Sequence, residues 1–329
     1  MEVNDSEKAI DFSVIIPAFN ACQFITRTLD SVANQTHSNF EIVITNDGSV
    51  DNTETVITEY IRAHPSLQIH LSYQANKGIG SARNNGIFRA RGTYLAFLDA
   101  DDCWYPNKLE KVHEARLKFP DIDILYHDEV EVRIDGTRRI LNYSMLEDPA
   151  YDDLLFNGNR LSTSATVVKR ELGQKLNGFS QNLDFNSAED YDFWLRLAKD
   201  NAKFYHLPIV LGEYNRIADS VSKKIMYHAT NSFNVIKHHV NIMMVENRHD
   251  KHFLQKILDN LKSQNFFNIA RAFFLEKNYK KSSHYYLKAR KERFFWWKPY
   301  AGLIQCLIFV CTDRFPTHFK NVTSLKGQK

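Results

Sequence analysis

Three apolar runs, Phe12–Pro17, Phe40–Thr45 and Tyr94–Leu98, and a more alternating one, Leu67–Tyr73, are interleaved with helical patterns over the first hundred residues. No other feature constrains the fold as tightly. A continuous apolar run marks a strand buried on both faces. The links read as helices, one from Phe24 through Leu29 and Val32 to about Gln35, one from about Thr53 to Ala63, and one starting at about Ser81. Strands separated by single helices predict a mostly parallel central sheet with right-handed crossovers, an α/β, Rossmann-like architecture. Ligands of such sheets bind beyond the carboxyl ends of the strands.

Those ends carry polar chemistry. The first closes on Pro17-Ala18-Phe19-Asn20, and the second on Asn46-Asp47-Gly48-Ser49, where Asp and Asn bond their own backbone and Gly supplies positive φ. The fourth runs into Asp99, Asp101 and Asp102. Crowded carboxylates repel one another unless a cation or hydrogen-bond donors neutralise them. Oxygen-only ligands of this kind suit Mn²⁺ or Mg²⁺ beside a substrate phosphate; the plain alternative is a solvated acidic turn. Because Asn20, Asp47 and Asp99 each follow a strand, all three are expected at one crevice. The loop from Asn76 to Gly86 contains two glycines but no G-x-G-x-x-G, so it is no dinucleotide fingerprint.

Farther on, the pattern predicts a helix from Pro106 to about Lys118, a strand at Ile122–Tyr126, and a hairpin of Glu129–Arg133 with Thr137–Leu141. Tyr143–Arg160 reads as a surface segment, Ser164–Lys169 as a strand, and Asn177-Gly178-Phe179 as a turn. A helix begins at Glu189-Asp190, where acidic residues in the first turn suit the helix dipole whatever else they do.

From about Ile225 strand signals vanish, which sets the expected domains at 1–224 and 225–329. The second holds a helix pair about Asn278-Tyr279 like one tetratricopeptide-type hairpin, which cannot bury its own face alone. Phe294-Phe295-Trp296-Trp297-Lys298-Pro299 leads into the apolar run Ala301–Cys311, eleven residues long. A spanning helix needs about 20 apolar residues, so this segment is either an ordinary buried helix or an interfacial one. In the latter case its tryptophans sit at headgroup level, with Arg290, Lys291, Arg293 and Lys298 on anionic lipid. Beyond residue 225 there are 18 Lys+Arg and 6 Asp+Glu, against 24 and 33 before it. An acidic front half that binds an anionic ligand needs a metal, and a basic tail suits an anionic surface. The four cysteines show no paired spacing and the first residues are polar, so the expectation is a cytoplasmic protein, peripheral on the membrane's inner face.

Taken together, Val14-Ile15-Ile16-Pro17-Ala18-Phe19-Asn20, Asn46-Asp47-Gly48-Ser49, Gly78 through Arg83-Asn84, Phe97-Leu98-Asp99-Ala100-Asp101-Asp102 and Glu189-Asp190 resemble the inverting glycosyltransferases of family 2, with the GT-A fold. The resemblance covers roughly residues 12–220. It implies that Pro17, Ala18, Phe19 and Asn20 line a nucleotide pocket, with Phe19 against the base. It further implies that Asp47 accepts a hydrogen bond from the base, that Arg83 holds the nucleotide, and that Asp99 and Ala100 touch the nucleotide sugar. Asp101, with Asp99, would be the ligand of Mn²⁺ or Mg²⁺ at the diphosphate, and Asp190 the catalytic base. The reaction implied is transfer from a nucleotide-diphosphate sugar, a UDP-sugar by preference, to a hydroxyl of a glycan or lipid-linked acceptor in cell-surface polysaccharide synthesis. One positioned carboxylate suffices for direct inversion, whereas a retaining glycosidase needs two flanking the sugar. Where many relatives carry Tyr-Arg-x-His, this chain has Ala218 in place of the His. Two other readings remain: a nucleotide-sugar-binding scaffold of a glycan assembly complex, and a nucleotidyltransferase. The second is disfavoured because Pro17-Ala18-Phe19-Asn20 lacks the glycines and the basic residue that hold a triphosphate. His206 and the pair His238-His239 are assigned no role.

Overall fold

A computed structural model describes residues 9–216, 221–293 and 297–314. The chain divides into two compact units, Met1–Ala218 and Asp219–Lys329.

The first unit begins β1 (Phe12–Ala18), α1 (Ile25–Ala33), β2 (Phe40–Asn46), α2 (Thr53–Ala63), β3 (Ile69–Tyr73), α3 (Ile79–Arg89), β4 (Tyr94–Phe97). It continues β5 (Cys103–Trp104), α4 (Lys108–Lys118), β6 (Ile124–Val132), β7 (Arg138–Leu141), α5 (Ala150–Asn157), β8 (Thr166–Lys169), α6 (Arg170–Lys175), a 3-10 turn at Leu183–Phe185, α7 (Glu189–Lys199) and β9 (Phe204–Asn215). One sheet takes the order β3-β2-β1-β4-β8-β6-β9-β5, with β7 beside β6. β3, β2, β1 and β4 are parallel, as the alternation requires. From β8 onward the sheet is mixed: β8 is antiparallel to both β4 and β6, while β6 and β9 run parallel.

Every residue of β1 is buried. Phe12, Val14 and Ile16 pack with Ile25, Leu29 and Val32 of α1 and with Ile42 and Ile44 of β2. The sequence ends this strand at Pro17, yet it runs one residue further. β4 pairs with β1 only as far as Ile15, opposite Phe97, so Pro17 lies past the last rung on that side. Since β2 and β4 lie on opposite sides of β1, the strand order reverses there, and a crevice opens beyond the carboxyl ends.

Three expectations needed revision. β6 is a single nine-residue strand, not two pieces, because its buried polar residues His127, Asp128, Glu129 and Glu131 interrupt the apolar run. The stretch Tyr143–Arg160 holds α5, whose Tyr151, Leu154 and Leu155 are buried; eight residues are too few to show a helical period. β9 escaped the sequence altogether, since its register slips past β6 at His127 and Asp128 and blurs any alternation. On β9, His206 is packed on Tyr126 and bonded through Nε2 to Asp128 Oδ1 at 2.8 Å.

In the second unit α8 (Val221–Val245), α9 (Lys251–Leu275), α10 (Tyr279–Glu292) and α11 (Trp297–Arg314) follow in order. α9 and α10 start on the side-chain caps of Asp250 and Asn278, which accept from Phe253 N and Lys281 N. The expected hairpin is α9–α10, pinned by Ser263 Oγ to Ala289 O at 2.7 Å and Ser282 Oγ to Ala270 O at 2.8 Å. Its apolar face is closed by Cys306 and Leu303 of α11 against Tyr286. Of the pair His238-His239, the first is exposed and the second buried. No helix among the described residues is long and apolar enough to cross a membrane. Cys22, Cys103 and Cys306 are free thiols, and the Cys311 side chain lies outside the described residues, as do Phe294–Trp296.

Candidate active site

The carboxyl ends of β1, β2 and β4 open onto a cleft of about 470 Å³, a volume that suits a small organic ligand. Pro17, Ala18, Phe19, Asn20, Asp47, Asp99, Ala100 and Asp101 all line it. The convergence expected from strand order is therefore present. The start of α3 contributes Gly78, Ile79 and Ala82, and the end of β9 contributes Tyr214. Arg83 and Asp190 are not in the lining.

The loops at the strand ends are tied to each other. Asn20 takes a left-handed backbone (φ 48°), and its Oδ1 accepts from Val50 N at 2.9 Å. Gly48, at φ 71°, passes so near the next loop that a Cβ there would stand 2.8 Å from Asn76 N, which makes glycine obligatory. Asp47 is buried and binds that loop: Oδ1 accepts from Gln74 Nε2 (2.7 Å) and Lys77 N (2.9 Å), and Oδ2 from Gly78 N (2.9 Å). The first task of Asp47 is thus to fold the 76–78 segment. Oδ2 takes a single N–H and so keeps acceptor capacity for a ligand.

Arg83 is only 3% exposed. Its guanidinium joins Asp99 Oδ1 at 2.7 Å and Glu189 Oε1 at 2.8 Å, with the Phe179 ring 5.1 Å away. Burial opposes the charge, but the carboxylates of Asp99 and Glu189 outweigh it and hold Arg83 protonated. Arg83 is joined to the cleft lining by its bond to Asp99. Glu189, which the sequence left to the helix dipole, is the other half of this buried network.

The three aspartates have separated into different environments. Asp102 is buried; Oδ2 accepts from Ser164 Oγ at 2.6 Å and Oδ1 from Asn215 N at 2.8 Å. It braces β9 and β8 against the acidic loop, and burial followed by the charge of Asp101 raises its pKa. Asp101 differs. Arg27 and Asn215 bond its backbone carbonyl, while among the described residues its half-buried carboxylate has only its own N–H as donor. Burial, followed by the charge of Asp99, pushes Asp101 up to about 6. A carboxylate at a cleft, short of donors and beside a second carboxylate, fits a hard divalent cation.

Asp190 stands in the first turn of α7, next to Glu189. Its Oδ1 accepts from Tyr191 N at 2.7 Å and its Oδ2 from Thr163 Oγ1 at 3.3 Å. Position 218, with its alanine, lies outside the described residues.

The profile described as "Glycosyl transferase family 2" matches residues 13–165. The putative teichuronic acid biosynthesis glycosyltransferase TuaG of Bacillus subtilis is 31% identical over 211 residues, covering 64% of this chain and 81% of TuaG. The chain belongs to glycosyltransferase family 2. An uncharacterized glycosyltransferase of Nostoc is 36% identical over 172 residues, 50% of this chain and about half (52%) of that protein's length. Among solved structures, Staphylococcus aureus TarS 1-349 in complex with UDP superposes with a TM-score of 0.54 at 18% identity, covering 94% of this chain and 93% of TarS 1-349. The mannosyltransferase PcManGT of Pyrobaculum calidifontis, in complex with GDP-Man and Mn²⁺, gives 0.56 at 17% identity, over 93% and 88% of the two chains. These likenesses are of fold, and the fold is GT-A.

Proposed function

We propose that this family 2 member transfers a sugar, with inversion, from a nucleotide-diphosphate sugar to a hydroxyl of a glycan or lipid-linked acceptor in cell-surface polysaccharide synthesis. The observation that carries the reading is the single cleft where Phe19, Asp47, Asp99 and Asp101 meet. A UDP-sugar is favoured as donor, in keeping with the UDP complex of TarS. Asp101 and Asp99 would hold Mn²⁺ or Mg²⁺, which as a Lewis acid stabilises charge on a leaving diphosphate. The Mn²⁺ in the PcManGT complex supports a metal of this kind. Within the chain, Phe19 and the Asp47 carboxylate orient the base, Arg83 holds the Asp99 carboxylate in place, and Asp190 takes the acceptor proton. The direct test is a thermal-shift screen of UDP-, GDP- and dTDP-linked sugars with and without Mn²⁺. Metal-dependent stabilisation by one nucleotide class is expected; a folded protein stabilised by none of them would favour a scaffold role.

Asp101→Ala is expected to abolish metal-dependent stabilisation by the nucleoside diphosphate. Undiminished stabilisation would assign the metal to other ligands. The same carboxylate sets a pH dependence. Its folded pKa of about 6 lies above the ordinary 3.8, so the metal-free protein loses stability as pH rises from about 4 through 6 and the buried group ionises. Mn²⁺ should therefore raise the melting temperature more at pH 7.5 than at pH 5.5, and in Asp101→Ala the two increments should be equally small.

Membrane contact belongs to the second unit. On α11, Trp297, Ile304 and Leu307 are exposed, and Arg290, Lys291, Arg293 and Lys298 precede or open the helix. Aromatic and aliphatic groups beside a basic cluster suit an anionic bilayer surface. Replacing Trp297, Ile304 and Leu307 together by serine removes exposed groups only and should release the protein from anionic vesicles. Unchanged cosedimentation would rule this contact out.

A further inference from the structure

Away from the cleft, at the amino end of β1, three potential metal ligands from distant parts of the first unit converge. Asp11 immediately precedes β1, His37 lies in the link between α1 and β2, and His113 is on α4. Asp11 Oδ2 stands 3.1 Å from His37 Nε2 and 3.5 Å from His113 Nδ1, and the two imidazoles lie 4.6 Å apart. Ligand atoms 2.0–2.2 Å from a zinc ion at tetrahedral angles are separated by roughly 3.3–3.5 Å. The separations about Asp11 Oδ2 lie within about 0.2 Å of such a shell.

The hydrogen bonding at this point is incomplete in a way a cation would complete. His37 Nε2 is buried and, despite its nearness to Asp11, makes no hydrogen bond among the described residues, because the carboxylate oxygen lies off the direction in which a ring N–H would point. Arg116 donates from Nε (3.2 Å) and Nη2 (2.8 Å) to His113 Nδ1, so in the metal-free chain that lone pair is engaged by the guanidinium. The same Nη2 bonds Asp11 Oδ1 at 2.5 Å, the oxygen that the histidines do not approach. Arg116 thus competes for one ligand, His113. It can yield that nitrogen while staying on Asp11 Oδ1, with Phe12 and Tyr94 rings beside it at 5.9 and 5.5 Å. A carboxylate held through its second oxygen is the usual outer-shell arrangement at a metal.

We propose that Asp11, His37 and His113 form a second metal site, selective for Zn²⁺ or a similar nitrogen-preferring ion, that staples the start of β1 to the α1–β2 link and to α4. Two imidazoles and one carboxylate favour such an ion over Mg²⁺ or Mn²⁺, the hard ions suited to Asp99 and Asp101. β1 spans seven residues, about 20 Å, between this site and the cleft, so its occupancy is separable from donor binding.

The test uses the tag-free full chain with Zn²⁺, in competition with a chromophoric chelator, and Co²⁺ as a visible-absorption probe. One Zn²⁺ per chain is expected, with a raised melting temperature. His37→Gln and His113→Gln should each weaken Zn²⁺ by about tenfold or more, since even outer partners of metal ligands are worth that much. Stabilisation by nucleotide and Mn²⁺ should be unchanged in both. Should a histidine variant fail to fold, Asp11→Asn keeps the shape without the anionic oxygen and is expected to show the same loss. No Zn²⁺ binding by the parent chain overturns the proposal. So does Zn²⁺ binding that survives these substitutions or disappears only in Asp101→Ala, which would place the ion elsewhere or in the cleft.

Discussion

Asp190→Asn is expected to lower turnover by about 10²–10⁴-fold, the usual contribution of a positioned general base, while the affinity for nucleoside diphosphate stays nearly constant. An alcohol attacks poorly unless its proton is removed as the new bond forms, and an amide cannot accept that proton. The fold should tolerate the change. Asparagine keeps its oxygen for the Tyr191 N–H, and its Nδ2 can donate to Thr163 Oγ1, where Asp190 Oδ2 accepted from that hydroxyl. Losing a negative charge in the first turn of α7 costs about 0.3–1 kcal/mol. Steady-state rates set beside nucleotide titrations separate the outcomes. A fall in turnover with intact binding supports the base assignment. Full turnover assigns proton removal to another group, and equal losses in rate and binding make Asp190 a structural residue of the cleft wall.

What the sequence revealed and concealed follows one physical line. The parallel half of the sheet was legible because β1, β2 and β4 are buried almost throughout, so their apolar runs are nearly unbroken, and because each ends in residues whose polarity has no place in a core. Pro17, Asp47 and Asp99 announce themselves by that contrast. The rest of the sheet was legible only in part: β8, β7 and the two ends of β6 were foreseen, but the continuity of β6 and the whole of β9 were not. β6 carries His127, Asp128, Glu129 and Glu131 inside the protein, where only tertiary partners such as His206 on β9 make polar groups tolerable. Partners 78 residues apart leave no local trace. The site divides in the same way. Its lining was readable from strand ends, but the division of labour among Asp99, Asp101 and Asp102 was not. Only the structure shows that Ser164 and Asn215 satisfy the Asp102 carboxylate, while among the described residues that of Asp101 meets no donor but its own N–H. Tyr214 and Asn215 were missed with β9 itself. Glu189 was visible as an acid in a first turn, which is also what an ordinary helix start looks like.

The largest effect on stability is expected at Arg83. Arg83→Met removes the one cation between Asp99 and Glu189, which lie 2.7 and 2.8 Å from it and are 24% and 7% exposed. Breaking a buried pair by deleting one partner costs about 3–5 kcal/mol, since a charge is left buried without compensation. Here two carboxylates are left, and Asp101 loses the nearby positive charge that favours its ionised form, so its pKa should rise further. Metal-dependent stabilisation in Arg83→Met should accordingly need a higher pH than in the parent protein. Removing the second charge as well, in Arg83→Met/Glu189→Met, should recover part of the stability, because an apolar pair of similar volume replaces a charge with no partner. Denaturant unfolding of the parent, both single variants and the double variant closes the cycle. A non-additive double variant identifies the ion pair as the cause. Strict additivity, or a loss below about 1 kcal/mol for Arg83→Met, an ordinary substitution by magnitude, would show that Asp99 and Glu189 find other donors. Arg83 would then be free to act on the ligand directly, as the family resemblance implies.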